Sequence, residues 1–199
     1  MGYDYNSTSD PDAVSPLQSE GIFSLTNTIA YFKAVNLNLS KTILALPYYG
    51  ILWDISIKKD ESIEAVVERK LTYSEIKNLF LENPDIKAEV DLDPISMSKV
   101  YRAAFDDFSI KEIHFDDVFT LSKKYDYAMC IHLRTMVFVI GQDCPLHYDI
   151  ESYEDEESAV NFIGYLVGDR PAATARYRMV DKNTAKIERV AVLDEHRGK

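Results

Sequence analysis

Basic residues are scarce in this chain: 22 Lys and Arg stand against 33 Asp and Glu over 199 residues, a net charge of −11. A general nucleic-acid binder needs a basic footprint, so that class is excluded. Cysteine is nearly absent, and Cys130 and Cys144 make neither a disulfide framework nor a metal-ligand spacing. No apolar run approaches the ~20 residues of a membrane-spanning helix, so no membrane partner is expected. Gly2–Asp12 is polar and acidic where a signal peptide would be basic and then apolar; the compartment is left open. What is present is apolar surface: 46% of residues are hydrophobic, enough to build the core of one large domain or two small ones.

Along the chain, residues 1–20 are rich in Asp, Ser and Pro and read as a loop. A helix is predicted from about Leu25, capped by Thr26 or Asn27, with Ile29, Phe32 and Val35 near helical spacing. The run KTILALPYYG is continuously apolar up to Gly50. It suits a strand buried on both faces, as in a parallel sheet, and Ile43–Leu46 is expected to be its core. ILWDISI alternates like a strand. Residues 61–69 and 72–81 carry helical patterns, the second opening on a capping box of Thr72 and Glu75 and ending at Asn83-Pro84. Residues 87–105 fit neither period cleanly. Asp116–Leu133 reads as an amphipathic helix with Val118, Leu121, Tyr125 and Met129 on one stripe.

The character changes near residue 134. TMVFVIGQDCP is hydrophobic and Asp149–Ser158 strongly acidic. Three evenly spaced strand candidates follow over 159–193, with VGDR and VDKNTA as hairpin turns. The first part alternates β and α; the second is an antiparallel meander. A boundary is therefore expected at 130–140.

The first residues, MGYDYN, set Tyr3 and Asp4 side by side at the edge of a predicted strand. In a parallel α/β barrel, polar residues at strand C-termini face the active site. Met1-Gly2-Tyr3-Asp4, a proline-bearing loop, an amphipathic helix and LSKTILALPYYG together resemble the later part of a glycoside hydrolase family 18 (chitinase-type) barrel. IHFDDVFTLSKKYDYAMCIHLR is similar to that family's last helix, so the resemblance covers residues 1–134. It implies a partial (β/α) barrel and a substrate-assisted cleavage in which the substrate's own N-acetyl oxygen is the nucleophile, an exception to the two-carboxylate rule. The implied partner is an oligosaccharide containing N-acetylglucosamine. Tyr3 and Asp4 would hold the reacting N-acetyl group. Tyr48, Tyr49 and Trp53 would either line a groove for pyranose faces or fill the core.

Two parts of that pattern are missing. The acid-bearing DxxDxDxE motif does not occur; Asp91–Pro94 and Asp149–Glu157 are acidic but do not fit it. TMVFVIG stands where the family's last strand carries tryptophan. A partial ring leaves open sheet edges, to be paired by residues 135–199 or by another chain in an oligomer.

Residues 135–199 resemble the N-terminal half of a GNAT-type N-acetyltransferase, through LRTMVFVIGQDCP, ARYRMV and IERVAVLDEHRGK. The resemblance implies acetyl-CoA as cofactor. The strand Ile187–Leu193, with Val190 and Val192, would bind its pantetheine arm through backbone groups. The turn after it would cradle the pyrophosphate on backbone amides. Arg197, Gly198 and Lys199 occupy the first three positions of the family's Arg/Gln-x-x-Gly-x-Gly/Ala loop, whose glycines would come next.

The sequence thus predicts an α/β fold: a barrel segment over 1–134 followed by a mainly antiparallel α+β segment over 135–199, truncated at the pyrophosphate loop. The expected function is that of a hybrid with no complete catalytic set of either kind. The alternatives are an acetyl-CoA-dependent acetyltransferase with an unusual N-terminal region, and a non-catalytic chitooligosaccharide-binding or structural module. His114 and His132 read as helix-surface or partly packed residues and Cys144 as an inert thiol; His147, alone in its loop, decides nothing.

Overall fold

The computed structural model describes residues 2–19, 21–35, 37, 42–106, 109–145 and 159–198. Residues 1–27 with 43–123 form one compact unit, and 28–42 with 124–199 a second. The acidic run 149–157, His147 and Lys199 lie outside the described residues.

The first unit is built on β1 (Tyr49–Ile57), β2 (Ile63–Thr72), β3 (Glu89–Asp93), β4 (Ser98–Asp106) and β5 (Ser109–Phe115). They form one sheet in the order β2-β1-β5-β4-β3, and every ladder is antiparallel. The helix expected over 61–69 is therefore β2. Its Ile63, Val66, Val67 and Thr72 are strand formers, and pairing with β1 decides the outcome. Leu52 pairs with Arg69 and Trp53 with Val67, so Glu68 is an extra residue on β2. Such a bulge interrupts the two-residue alternation and hides the strand period from a sequence reading.

The buried parallel strand expected at Ile43–Leu46 does not form. Ile43 is 88% exposed, residues 42–47 have no regular structure, and Gly2 N–H donates to Ala45 C=O at 2.9 Å. Strand β1 begins just beyond and runs through Gly50 rather than stopping there. Glycine is required at that point: a Cβ would sit 2.6 Å from the His114 carbonyl oxygen and 2.7 Å from Phe115 Cβ.

One face of this sheet packs Leu52, Leu71, Tyr101, Ile113 and Phe115 with Ile76. Ile76 belongs to α2 (Tyr73–Ile76), which continues as a π turn over Lys77–Leu81. The capping box is as read from sequence: Thr72 Oγ1 accepts the Glu75 N–H at 3.3 Å, and the Glu75 carboxylate accepts the Thr72 N–H at 2.8 Å. On the opposite face Ile51 and Trp53 pack beneath Val14. The N-terminal segment is fastened by Leu17 N–H to Ser96 C=O at 2.8 Å and Gln18 N–H to Ile95 C=O at 3.3 Å. Each large apolar side chain so buried contributes roughly 1.5–3 kcal/mol. Helix α1 (Leu25–Ala34) starts where expected, but Ser24 caps it, its Oγ accepting the Asn27 N–H at 3.1 Å. Thr26 donates its hydroxyl to Leu17 C=O at 2.8 Å instead.

The long helix α3 (Val118–Arg134) is present as predicted, with Asp117 Oδ1 accepting the Thr120 N–H at 2.9 Å at its start. The stripe is different. Thr120, Lys124, Tyr127, Ile131 and Arg134 are buried, whereas Val118 and Tyr125 are exposed. TMVFVIG is no strand: Thr135–Ile140 continues the helix as π turns.

In the second unit β6 (Ala159–Leu166), β7 (Arg170–Met179) and β8 (Ala185–Val192) make the antiparallel meander that the sequence predicts, in the order β6-β7-β8. Gly168 and Asp169 turn the first hairpin with φ of 84° and 54°, and Val180 N–H closes the second on Thr184 C=O at 2.8 Å. Mixed α/β is thus the fold class, with antiparallel ladders in both units. Among the described residues no helix is long and apolar enough to cross a membrane.

Candidate functional site

Of the expected site residues, Tyr3 and Asp4 come together at a cavity of about 1010 Å³ in the first unit. They do not lie on a strand: residues 2–7 have no ladder, and Asp4 takes a left-handed φ of 62°. Asp4 Oδ1 is held from the sheet by Lys70 Nζ at 2.8 Å and by the Tyr49 hydroxyl, which donates to it. Lys70 Nζ also lies 4.9 Å over the Tyr49 ring. The hydrogen bond from Lys70, then that from Tyr49, hold the Asp4 carboxyl below its usual range. Burial, then the Asp4 carboxylate, push the Tyr49 phenol well above its ordinary value. Asp4 is therefore an ionised, anchored acceptor, fit to receive a hydrogen bond from a solute's hydroxyl or amide. Tyr3 packs edge-on against Tyr49, with centroids 6.3 Å apart at 81°.

The rest of the wall was not singled out by sequence reasoning. Tyr5 and Phe23 stack at 6.5 Å and 16° and both line the cavity, as do Gln18, Asp12 and Asp93. Tyr49 and Lys70 are 45 and 66 residues from Asp4 in sequence, and no local signal joins them.

Trp53 is corrected as a groove residue and fills the core, the other role the sequence left open. Trp53 is fully buried beneath Val14, so it presents no ring face to a solute. Tyr48 is half exposed but outside the cavity wall, packed at 5.3 Å against Tyr73.

The second candidate lies at the end of β8. Thr174 pairs with Ala191 and Arg176 with Glu188, so Arg189 and Val190 stand opposite Ala175 alone. This is a β-bulge, and Arg189 takes φ of 54° within it. β8 is an edge strand, with Val190 exposed and Val192 half-buried. The Arg197 guanidinium turns back, with Nε donating to Val192 C=O at 3.0 Å and Nη1 2.7 Å from Asp194. Gly198 has φ of 73°, a conformation that favours glycine.

His114 is on β5 rather than a helix, and is buried: its Nε2 lies 2.5 Å from Glu112, which also accepts from Arg102 Nε at 2.7 Å. His132 is partly buried on α3, and Cys144 Sγ lies 3.9 Å from its neighbour Pro145 C=O. Among the described residues no group of three or more His, Cys, Asp or Glu is placed to hold a metal.

Residues 126–199 match the model of the acetyltransferase (GNAT) family, which bears out the resemblance of the C-terminal part. Among solved structures, the chain is similar to a family 18 chitinase from Cycas revoluta, solved with (GlcNAc)3 and with allosamidin. Identity is 22%, the TM-score is 0.49, and 64% of this chain is covered. It is also similar to the C-terminal domain of a candidate chitinase from Desulfitobacterium hafniense, at 16% identity and a TM-score of 0.46 over 71% of this chain. The chain spans 37% of the length of each of these.

Proposed function

We propose that the chain is a hybrid of a chitinase-type segment over 1–134 and an acetyltransferase-type segment over 135–199, and that it acts by binding rather than by turnover. The saccharide end of this reading rests on one observation: Tyr3, Asp4 and the Tyr5–Phe23 stack surround a single cavity, so flat apolar rings and an anchored carboxylate face the same space. The ligand is an oligosaccharide of the N-acetylglucosamine type. Within these 199 residues the reading concerns binding, because the groups that face the cavity are an anchored carboxylate and aromatic rings.

Acetyl-CoA is the second ligand, supported by the family match over 126–199 and by the bulged edge of β8. The open edge near Val190 and Val192 and the left-handed Gly198 fit its pantetheine arm and its phosphates; Arg197 and Lys199 would supply the cations. Arg197 must first leave Asp194 and the Val192 carbonyl. Acetyl-CoA, when bound, would supply the acyl group.

Calorimetry with chitotetraose and with acetyl-CoA, alongside hydrolysis and acetylation assays, tests the proposal. Binding of chitotetraose without turnover, lost in Tyr5→Ala, supports it. Turnover of either kind by the purified chain overturns it, and no heat from acetyl-CoA at millimolar concentration removes the second ligand.

A further inference from the structure

Asp4 reaches the N-terminal cavity on a backbone that no ladder holds. Residues 2–7 are outside every strand, and Asp4 has a left-handed φ of 62°. On either side of it the chain is pinned once. Gly2 N–H donates to Ala45 C=O at 2.9 Å, and Tyr5 N–H donates to Val14 C=O at 3.1 Å. Neither contact sets the direction of the Asp4 carboxylate.

That direction comes from the sheet. Tyr49 pairs with Thr72 and Ile51 with Lys70, so Tyr49 and Lys70 stand diagonally on one face. Lys70 Nζ meets Asp4 Oδ1 at 2.8 Å, and the Tyr49 hydroxyl donates to the same oxygen. Oδ2 takes neither contact. The ammonium also lies 4.9 Å over the Tyr49 ring, which helps to fix its own place. Asp4 lines the cavity and Lys70 does not.

We propose that Lys70 is a positioning residue for saccharide binding: it holds Asp4 by Oδ1 and so presents Oδ2 to an amide or hydroxyl of the ligand. The inference rests on the saccharide reading above and adds a residue that acts on the ligand only through Asp4. An N-acetylglucosamine unit offers neutral donors, its acetamide N–H and its hydroxyls. An acceptor oriented beforehand spares the side-chain ordering that association otherwise costs. The same cation keeps Asp4 ionised. The hydrogen bond from Lys70, then that from Tyr49, hold the carboxyl below its ordinary 3.8. The other titratable groups of the wall are Tyr3, Tyr5, Asp12 and Asp93, and a substitution at Lys70 leaves them in place.

Calorimetry of the full chain with chitotetraose, from about pH 6.5 down to about pH 3.5, tests this role. Lys70→Met is expected to weaken binding about three- to fivefold at the upper end, the scale of an exposed charge pair. Its affinity should also fall away at a higher pH than that of the unsubstituted chain, because Asp4 without its cation protonates sooner. A merely structural role would lower affinity by one factor at every pH. Lys70→Arg should restore both strength and profile, and in Asp4→Asn the effect of Lys70→Met should vanish. Lys58→Met removes a cation from the turn beyond β1, where it pairs with Glu64 at 3.1 Å, and should change neither. Unchanged affinity and an unmoved profile in Lys70→Met overturn the positioning role and leave the saccharide reading standing. Lys58→Met acting like Lys70→Met overturns it as well, since net charge would then be the cause. If chitotetraose does not bind the unsubstituted chain, both fall. Circular dichroism of each variant at each pH confines the comparison to folded protein.

Discussion

The two sheets of this chain distribute their side chains in opposite ways. The five-stranded sheet turns apolar residues inward on both faces: Leu52, Ile113 and Phe115 on one, Ile51 and Trp53 on the other. In the three-stranded sheet, the buried face carries Thr174, Arg176 and Glu188. The face bearing Phe162, Tyr177 and Ile187 is open, with Phe162 52% and Ile187 72% exposed. Alternation separates the two faces of a strand but does not say which is inside. On β7 the buried face is the charged one because Arg176 is met by Glu188, which is itself also held by Arg178 and Lys186.

The contrast can be broken most directly in the cores. Trp53→Ala should cost about 3–5 kcal/mol in urea unfolding. Phe162→Ala, half exposed already, should cost less than about 1.5 kcal/mol; equal losses would mean that the two faces are not different. Arg176→Met should cost about 1.5–3 kcal/mol by removing the one fully buried cation of the three that hold Glu188, and the double change Arg176→Met with Glu188→Leu should recover part of it. A double variant as damaged as the single one would show that packing, not charge, holds that face.

Glu188 sharpens the comparison through pH. Burial by itself would raise its carboxyl, but the hydrogen bonds and charges of Lys186 and Arg176 outweigh this and hold it at about 2, against an ordinary 4.5. A carboxyl depressed on folding stabilises above its unfolded value, so this contribution is complete above about pH 4.5 and is lost as pH falls towards 2. Acid titration of stability should lose that component in Glu188→Gln. The smallest effect is expected at the capping box: Thr72→Ala should cost about 1 kcal/mol in thermal unfolding.

Legibility in the sequence followed the range of the interactions. The Thr72–Glu75 box and the hairpins of 159–193 were readable because their partners are neighbours in sequence. The strand at 63–72 was not, since a bulge at Glu68 breaks its period. Ile43–Leu46 looked like a core strand because a continuous apolar run carries no record of whether a partner ladder exists. Half of the cavity was visible in Tyr3 and Asp4. The anchoring of Asp4 was not: Lys70 and Tyr49, which stand behind the wall, are brought together by the pairing of β1 with β2. Trp53 shows the converse, an aromatic placed by cross-strand register under a loop that no spacing rule anticipates.

The left-handed Arg189 in the bulge of β8 has a consequence for self-association. A smooth border strand offers its amides and carbonyls at a regular repeat, which is the template for runaway fibril growth. Here the repeat is broken mid-strand, and a copy adding along that border would fall out of step after a few residues. The kink therefore makes β8 a poor template for an endless stack of chains.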